Sequence, residues 1–137
     1  MRVQAIEVEL IGERLLGSAA PAAERVRRLC AVAAASAGVD EGHLAIELVD
    51  GERIAVLNAE HRGKAGPTDV LSFPVDEADL LDGVPRELGD VVICPAYTVD
   101  LDEAIVHGVL HLMGMDHETD AGEMLALQAE LLRWEAL

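Results

Sequence analysis

Three of the five histidines fall in the run His107-Gly-Val-Leu-His111-Leu-Met-Gly114-Met-Asp-His117, which has the spacing H-x-x-x-H-x-x-G-x-x-H. Residues four apart on a helix differ by only about 40° around its axis, so His107 and His111 project from one face and can share an ion. Glycine adopts positive φ cheaply, so Gly114 can end the helix and let the chain bring His117 back as a third ligand. Three neutral imidazoles with one open position describe a catalytic zinc site that holds a water; a structural site is usually closed by a fourth protein ligand. The spacing predicts one Zn2+ ion on His107, His111 and His117.

The metzincin proteases share this spacing as H-E-x-x-H-x-x-G-x-x-H. Their glutamate is the general base of peptide hydrolysis, and its position here is Gly108. Peptide hydrolysis would lack its usual proton acceptor. Zinc on neutral histidines lowers the pKa of its water to about 7, which supplies hydroxide without a strong protein base.

The run also resembles the signature H-G-x-L-H-L-x-G-x-D-H of the YbeY-type endoribonucleases, with Gly108, Leu110, Leu112, Gly114 and Asp116 all in place. A second block of that family is an arginine shortly before P-T-D-V-L-S-F-P. Arg62 and the stretch from Pro67 to Pro74 are similar to it, and Leu88-Gly89-Asp90-Val91-Val92-Ile93 looks like a third block. The resemblance runs from about Leu57 to the C-terminus. Two features depart from it: Met115 stands where the family often has tyrosine, and the stretch between Val92 and His107 is shorter.

The resemblance implies a zincin-like fold and a zinc-dependent endoribonuclease of single-stranded RNA. It further implies a role in 16S ribosomal RNA 3′-end maturation and ribosome quality control, with precursor ribosomal RNA and the ribosome or its small subunit as partners and no DNA. Cleavage of a phosphodiester develops charge on the phosphoryl oxygens, and a planar, always-charged guanidinium is the natural stabiliser of it. Arg62 is the candidate for that role. Asp116, next to the third ligand, is a candidate to orient a histidine or to contact the ion's water; fixing a turn is its other reading. Thr68 and Asp69 are expected to fix the turn into the following strand and Ser72 to face the cleft; Asn58 is open, with a polar residue on a helix surface as its plainer reading. Two other functions fit the residues alone. One is a metal-dependent hydrolase of a peptide or small phosphoester, the other a ribosome-associated binding module with structural zinc.

The positioning elements follow from periodicity. Val3 to Leu10 alternates as a half-buried strand does, and Pro21 opens an Ala-rich helix that runs through Ala37 to a stop at Gly38. His43 to Val49 reads as a strand, Gly51 to about His61 as a helix, Val70 to Val75 and Leu88 to Cys94 as strands, with the acidic stretch from Asp76 to Pro85 as the loop between them. Asp100 with Glu103 starts the histidine helix, and Asp120 with Glu123 starts a last helix whose buried stripe is Met124, Leu127, Leu131 and Leu132. These elements predict an α+β fold, one compact domain over residues 1–137 with a small mixed sheet of about four strands packed by helices.

Composition sets the remaining bounds. The 137 residues suffice for one domain that buries roughly two thirds of its unfolded surface. Only Phe73, Tyr97 and Trp134 are aromatic, so the core must be aliphatic. Cys30 and Cys94 give no disulfide framework and read as buried thiols. No apolar run approaches the roughly 20 residues of a membrane span and no signal-peptide pattern is present, so a cytoplasmic location is expected. The net charge of −16 opposes RNA binding, but it is uneven: −3 over residues 1–70 against −13 over residues 71–137. A local basic face with Arg25, Arg27, Arg28 and the Arg62 region is the expected RNA surface, with a solvated helix surface as the plainer reading of the first three.

Overall fold

The structure is a computed structural model that describes residues 6–19, 23–75 and 86–135. Strand β1 spans Ile6–Ile11 and leads through a 3-10 segment, Glu13–Ala19, toward helix α1 at Ala23–Ser36. Next come β2 at Gly42–Leu48, α2 at Gly51–Arg62, β3 at Val70–Pro74 and β4 at Glu87–Ile93. A short 3-10 turn, Pro95–Tyr97, precedes α3 at Leu101–Leu112, and α4 at Glu123–Glu135 closes the described chain. The α+β expectation and its four-stranded mixed sheet are both met. The start of the first strand, the Pro21 opening of α1 and the acidic loop of residues 76–85 lie outside the described residues.

The strand order is β1-β2-β4-β3, with β1, β2 and β4 parallel and β3 antiparallel to β4. Pro74, which has no N–H to give a ladder, ends the outer strand β3, where that loss is tolerated. Because side chains alternate across a sheet, each face has its own core. Leu44, Ile46, Val91 and Ile93 pack with Val26, Leu29 and Cys30 of α1 and with Ile105, Val109 and Leu110 of α3. On the opposite face Ile54 of α2 packs with Leu71, Val92 and Cys94. The fully buried core is aliphatic, and Tyr97 and Trp134 are exposed.

Helix α3 has seven of its twelve residues buried, which makes it the central helix, held between the sheet, α1 and α4. The Asp100 carboxylate accepts from the Glu103 N–H at 3.2 Å, the expected start of that helix. Asp120 caps α4 by accepting from the Met124 N–H at 2.9 Å. The stripe of α4 differs from expectation. Met124 is buried but Leu127, Leu131 and Leu132 are only half-buried, and the second fully buried residue is polar, Gln128.

Cys30 and Cys94 are both buried free thiols, and burial pushes the Cys30 thiol up to about 12. Among the described residues no helix is long and apolar enough to cross a membrane.

Candidate metal centre and active-site cleft

Helix α3 carries His107 and His111, and the chain reverses beyond it at Gly114, whose φ of 96° is costly for any residue with a Cβ. The reversal returns His117 to the other two histidines. The ring centroids lie 4.7 Å (His107 to His111), 5.0 Å (His107 to His117) and 5.3 Å (His111 to His117) apart. One ligand atom from each of the three falls within 4.8 Å of the others, and all three side chains are half-buried. The sequence-predicted triad is thus brought together.

The second nitrogens of the two helix histidines are already engaged. His107 Nδ1 donates to Gln128 Oε1 at 2.8 Å, and His111 Nδ1 donates to the Met115 carbonyl at 2.9 Å. In the neutral tautomer that these bonds select, each Nε2 is a bare lone pair. The two Nε2 atoms face each other at 3.2 Å. Two lone pairs at that separation repel unless a proton or a metal cation lies between them, and donors on tetrahedral zinc sit about 3.4 Å apart for Zn–N bonds of about 2.0–2.1 Å. The donor set therefore fits a metal. Burial, and then the neighbouring His107, hold His111 below the ordinary imidazole range despite the opposing bond to Met115. The neutral form, the one that ligates, is the favoured one.

Gly108 is a packing requirement. A Cβ there would come within 2.3 Å of Val91 Cγ1 and 3.2 Å of Val70 Cγ2. Even a methyl would overpack the α3–sheet contact, at a typical cost of about 1–3 kcal/mol. A glutamate at this position would have to push the helix off the sheet. Ser72 strengthens the same contact by donating to the Gly108 carbonyl at 2.8 Å, so its hydroxyl, though on the cleft wall, is engaged.

The triad opens into a cleft of about 390 Å³ whose other wall is the end of α2 and the start of β3. Arg62 is the last residue of α2 and donates to Glu118 Oε1 at 3.2 Å, across the cleft mouth and one residue beyond His117. Asp69 Oδ1 accepts from the Val70 N–H at 2.8 Å and from Thr68 Oγ1 at 3.3 Å, the turn-fixing role expected of that pair. Asp116 lines the cleft, and its Oδ1 accepts from the Glu118 N–H at 2.9 Å. The second nitrogens of His107 and His111 have other partners, so Asp116 orients neither of them.

Several features escaped the sequence. Asn58 is buried and donates to the Gly66 carbonyl at 3.0 Å, which ties α2 to the loop before β3 and corrects its plainer reading as a helix-surface residue. Gln128 was missed, although it follows the buried Met124 by four residues, and a polar residue on an apolar helical stripe is a usable signal. Glu118 and His61, whose ring lies 4.3 Å from that of Phe73, also line the cleft. The expected basic face of α1 is not realised as free charge. Arg25 is paired with Asp102, Arg27 with Glu24 and Arg28 with Glu135, so each of these cations has a carboxylate neighbour in a partly exposed pair.

The family model for endoribonuclease YbeY matches residues 18–104 and so ends just before His107. An endoribonuclease YbeY of Rubrobacter xylanophilus is 42% identical over 132 residues, covering 91% of this chain and 93% of the relative. Too few residues fall outside that alignment to leave out His107–His117. One from Geobacillus thermodenitrificans is 39% identical over 130 residues, covering 80% and 83%. The solution structure of TM1509 from Thermotoga maritima shares the fold, with a TM-score of 0.53 at 24% identity over 93% of this chain and 88% of that one. With more than half of the chain inside the family model and relatives of this identity along most of its length, the chain belongs to the endoribonuclease YbeY family.

Proposed function

We propose that this chain is a zinc-dependent endoribonuclease, carried by one domain over residues 1–137, that cuts single-stranded RNA in the cleft between α2 and the histidine turn. The observation that carries the reading is the pair of Nε2 atoms of His107 and His111, 3.2 Å apart with both Nδ1 atoms already donating, in a cleft that also holds an arginine. His107, His111 and His117 would hold the ion. Bound there, zinc supplies Lewis-acid polarisation of a phosphoryl oxygen and a water of pKa near 7.

The chain's own groups divide the remaining work. Arg62 faces the same cleft and neutralises charge that develops on the phosphoryl oxygens during cleavage. Glu118 holds the guanidinium until the anion arrives. Asp116 fixes the turn that presents His117, and it lines the cleft, where it would contact the ion's water. Gly108 disfavours the peptidase alternative, since the helix–sheet contact has no room for a general base there. The relatives' name supports RNA as the substrate. We assign the chain to ribosomal RNA precursor processing, specifically maturation of the 16S 3′ end, and to ribosome quality control on the small subunit in the cytoplasm.

Metal analysis of the purified chain, combined with cleavage of end-labelled single-stranded and duplex RNA, tests this reading. One equivalent of zinc and cleavage of the single strand alone are expected. A zinc-loaded chain that leaves RNA intact would overturn the nuclease reading, and one that cleaves equally well after complete metal removal would overturn the zinc dependence.

A further inference from the structure

Seven large apolar side chains are exposed among the described residues, and three of them, Tyr97, Val99 and Leu125, line one pocket of about 230 Å³. Scattered exposed apolar residues need no explanation, but three converging on one concavity do. The pocket adjoins the metal cleft, because Asp69, Val70 and His107 line both. Gln128, which orients His107, lines it too.

Its charge is the reverse of what a phosphate needs. Among the described residues no lysine or arginine lines it, and its carboxylates belong to Asp69, Asp100 and Glu103. A flat, neutral group with polar edges suits it better. Tyr97 is also held in place. Its N–H donates to the Cys94 carbonyl at 3.1 Å, and Thr98 Oγ1 donates to the same carbonyl at 2.7 Å. One edge of the ring lies over Gly51 at the start of α2, where a Cβ would come within 2.8 Å of it, yet the residue stays 54% exposed. A fixed, half-exposed aromatic face is the usual platform for an unpaired base.

We propose that this pocket receives one unpaired nucleobase of the RNA strand whose phosphate lies at the histidine triad, seated on Tyr97 and against Val99 and Leu125. The inference rests on the ribonuclease reading of the cleft. It divides the surface into a phosphate subsite at the histidine triad and Arg62 and a neighbouring subsite for a base, with His107 on the boundary.

The test is cleavage of a single-stranded RNA oligonucleotide by the zinc-loaded full chain, with an abasic nucleotide moved along the strand. In the wild type, one abasic position next to the cut should raise KM about tenfold, as expected for loss of a stacked base. Tyr97→Ala should raise KM on intact RNA by a similar factor without lowering zinc content, Tyr97→Phe should restore it, and the abasic position should add nothing further in Tyr97→Ala. Leu125→Ser carries the same test should Tyr97→Ala fail to fold. A flat abasic profile with normal cleavage, or losses in variant and abasic substrate that multiply, would overturn the base pocket and leave the nuclease reading intact. Absence of any cleavage of RNA by the zinc-loaded wild type would overturn both.

Discussion

Gln128 and His107 meet across the contact of α4 with α3, the half-buried His107 donating its Nδ1–H at 2.8 Å to the amide oxygen of the buried Gln128. The bond fixes the tautomer that leaves Nε2 for a metal and holds the ring where His111 can share it. Gln128→Leu should fold and yet bind zinc about 10–100-fold more weakly, the usual loss when such a partner is removed. Gln128→Glu, which keeps an acceptor, should retain most of the affinity. Competition with a chromophoric chelator measures both, and equal affinities for wild type and Gln128→Leu would contradict the role.

Arg62 and Glu118 define a second relationship, at the cleft mouth. Arg62→Ala should keep its zinc and lose about 10²–10³ in kcat, the range found when a group that stabilises transition-state charge is removed. Glu118→Gln should tighten RNA binding by no more than a few-fold, since an exposed pair contributes only about 0.2–1 kcal/mol. Loss of metal in Arg62→Ala, or unchanged turnover, would remove Arg62 from the proposed chemistry.

Salt dependence should be shallow. Among the described residues Arg62 is the one Lys or Arg side chain that lines the cleft, and Arg25 and Arg28 already have carboxylate partners in Asp102 and Glu135. With about 0.7 per phosphate contact for single strands, the slope of log K against log salt should lie at about −1 to −2. A slope steeper than about −4 would mean that RNA breaks the α1 ion pairs and uses that face after all.

Asp90 on β4 gives the pH-dependent prediction. Asp90 is exposed, yet partial desolvation first, and the Glu87 carboxylate second, hold its carboxyl above the usual range, while His43 opposes them in part. The folded state then takes up this proton before the unfolded state does as pH falls, so the charged carboxylate lowers stability at neutral pH. Asp90→Asn should therefore raise Tm at pH 7, and its advantage should shrink as pH falls from the raised folded value toward the unfolded value of about 3.9. A lower Tm for Asp90→Asn at pH 7 would contradict this.

The histidine site was legible because its geometry is local: a four-residue spacing, a glycine with positive φ and a third histidine in the turn lie within one short run. The strands and helices were legible from periodicity, but periodicity does not name neighbours. That β4 lies between β2 and β3, with β3 reversed, follows from tertiary pairing. The same limit hid Gln128, which reaches His107 from 21 residues away, and Asn58, whose burial depends on the loop that folds over it. It also hid the pairing of Arg25 with Asp102, 77 residues apart. Gly108 was legible as a missing base; its physical reason needed the distance to Val91.

Zinc stoichiometry tests the central claim most directly. The full wild-type chain, loaded with zinc, dialysed and analysed for metal and protein together, should retain one ion per chain. His111→Ala should lose most of it, and the His107, His111 and His117 triple alanine variant, confirmed as folded by circular dichroism, should retain none. One equivalent of zinc in that folded triple variant, or no zinc in the wild type, would contradict the account.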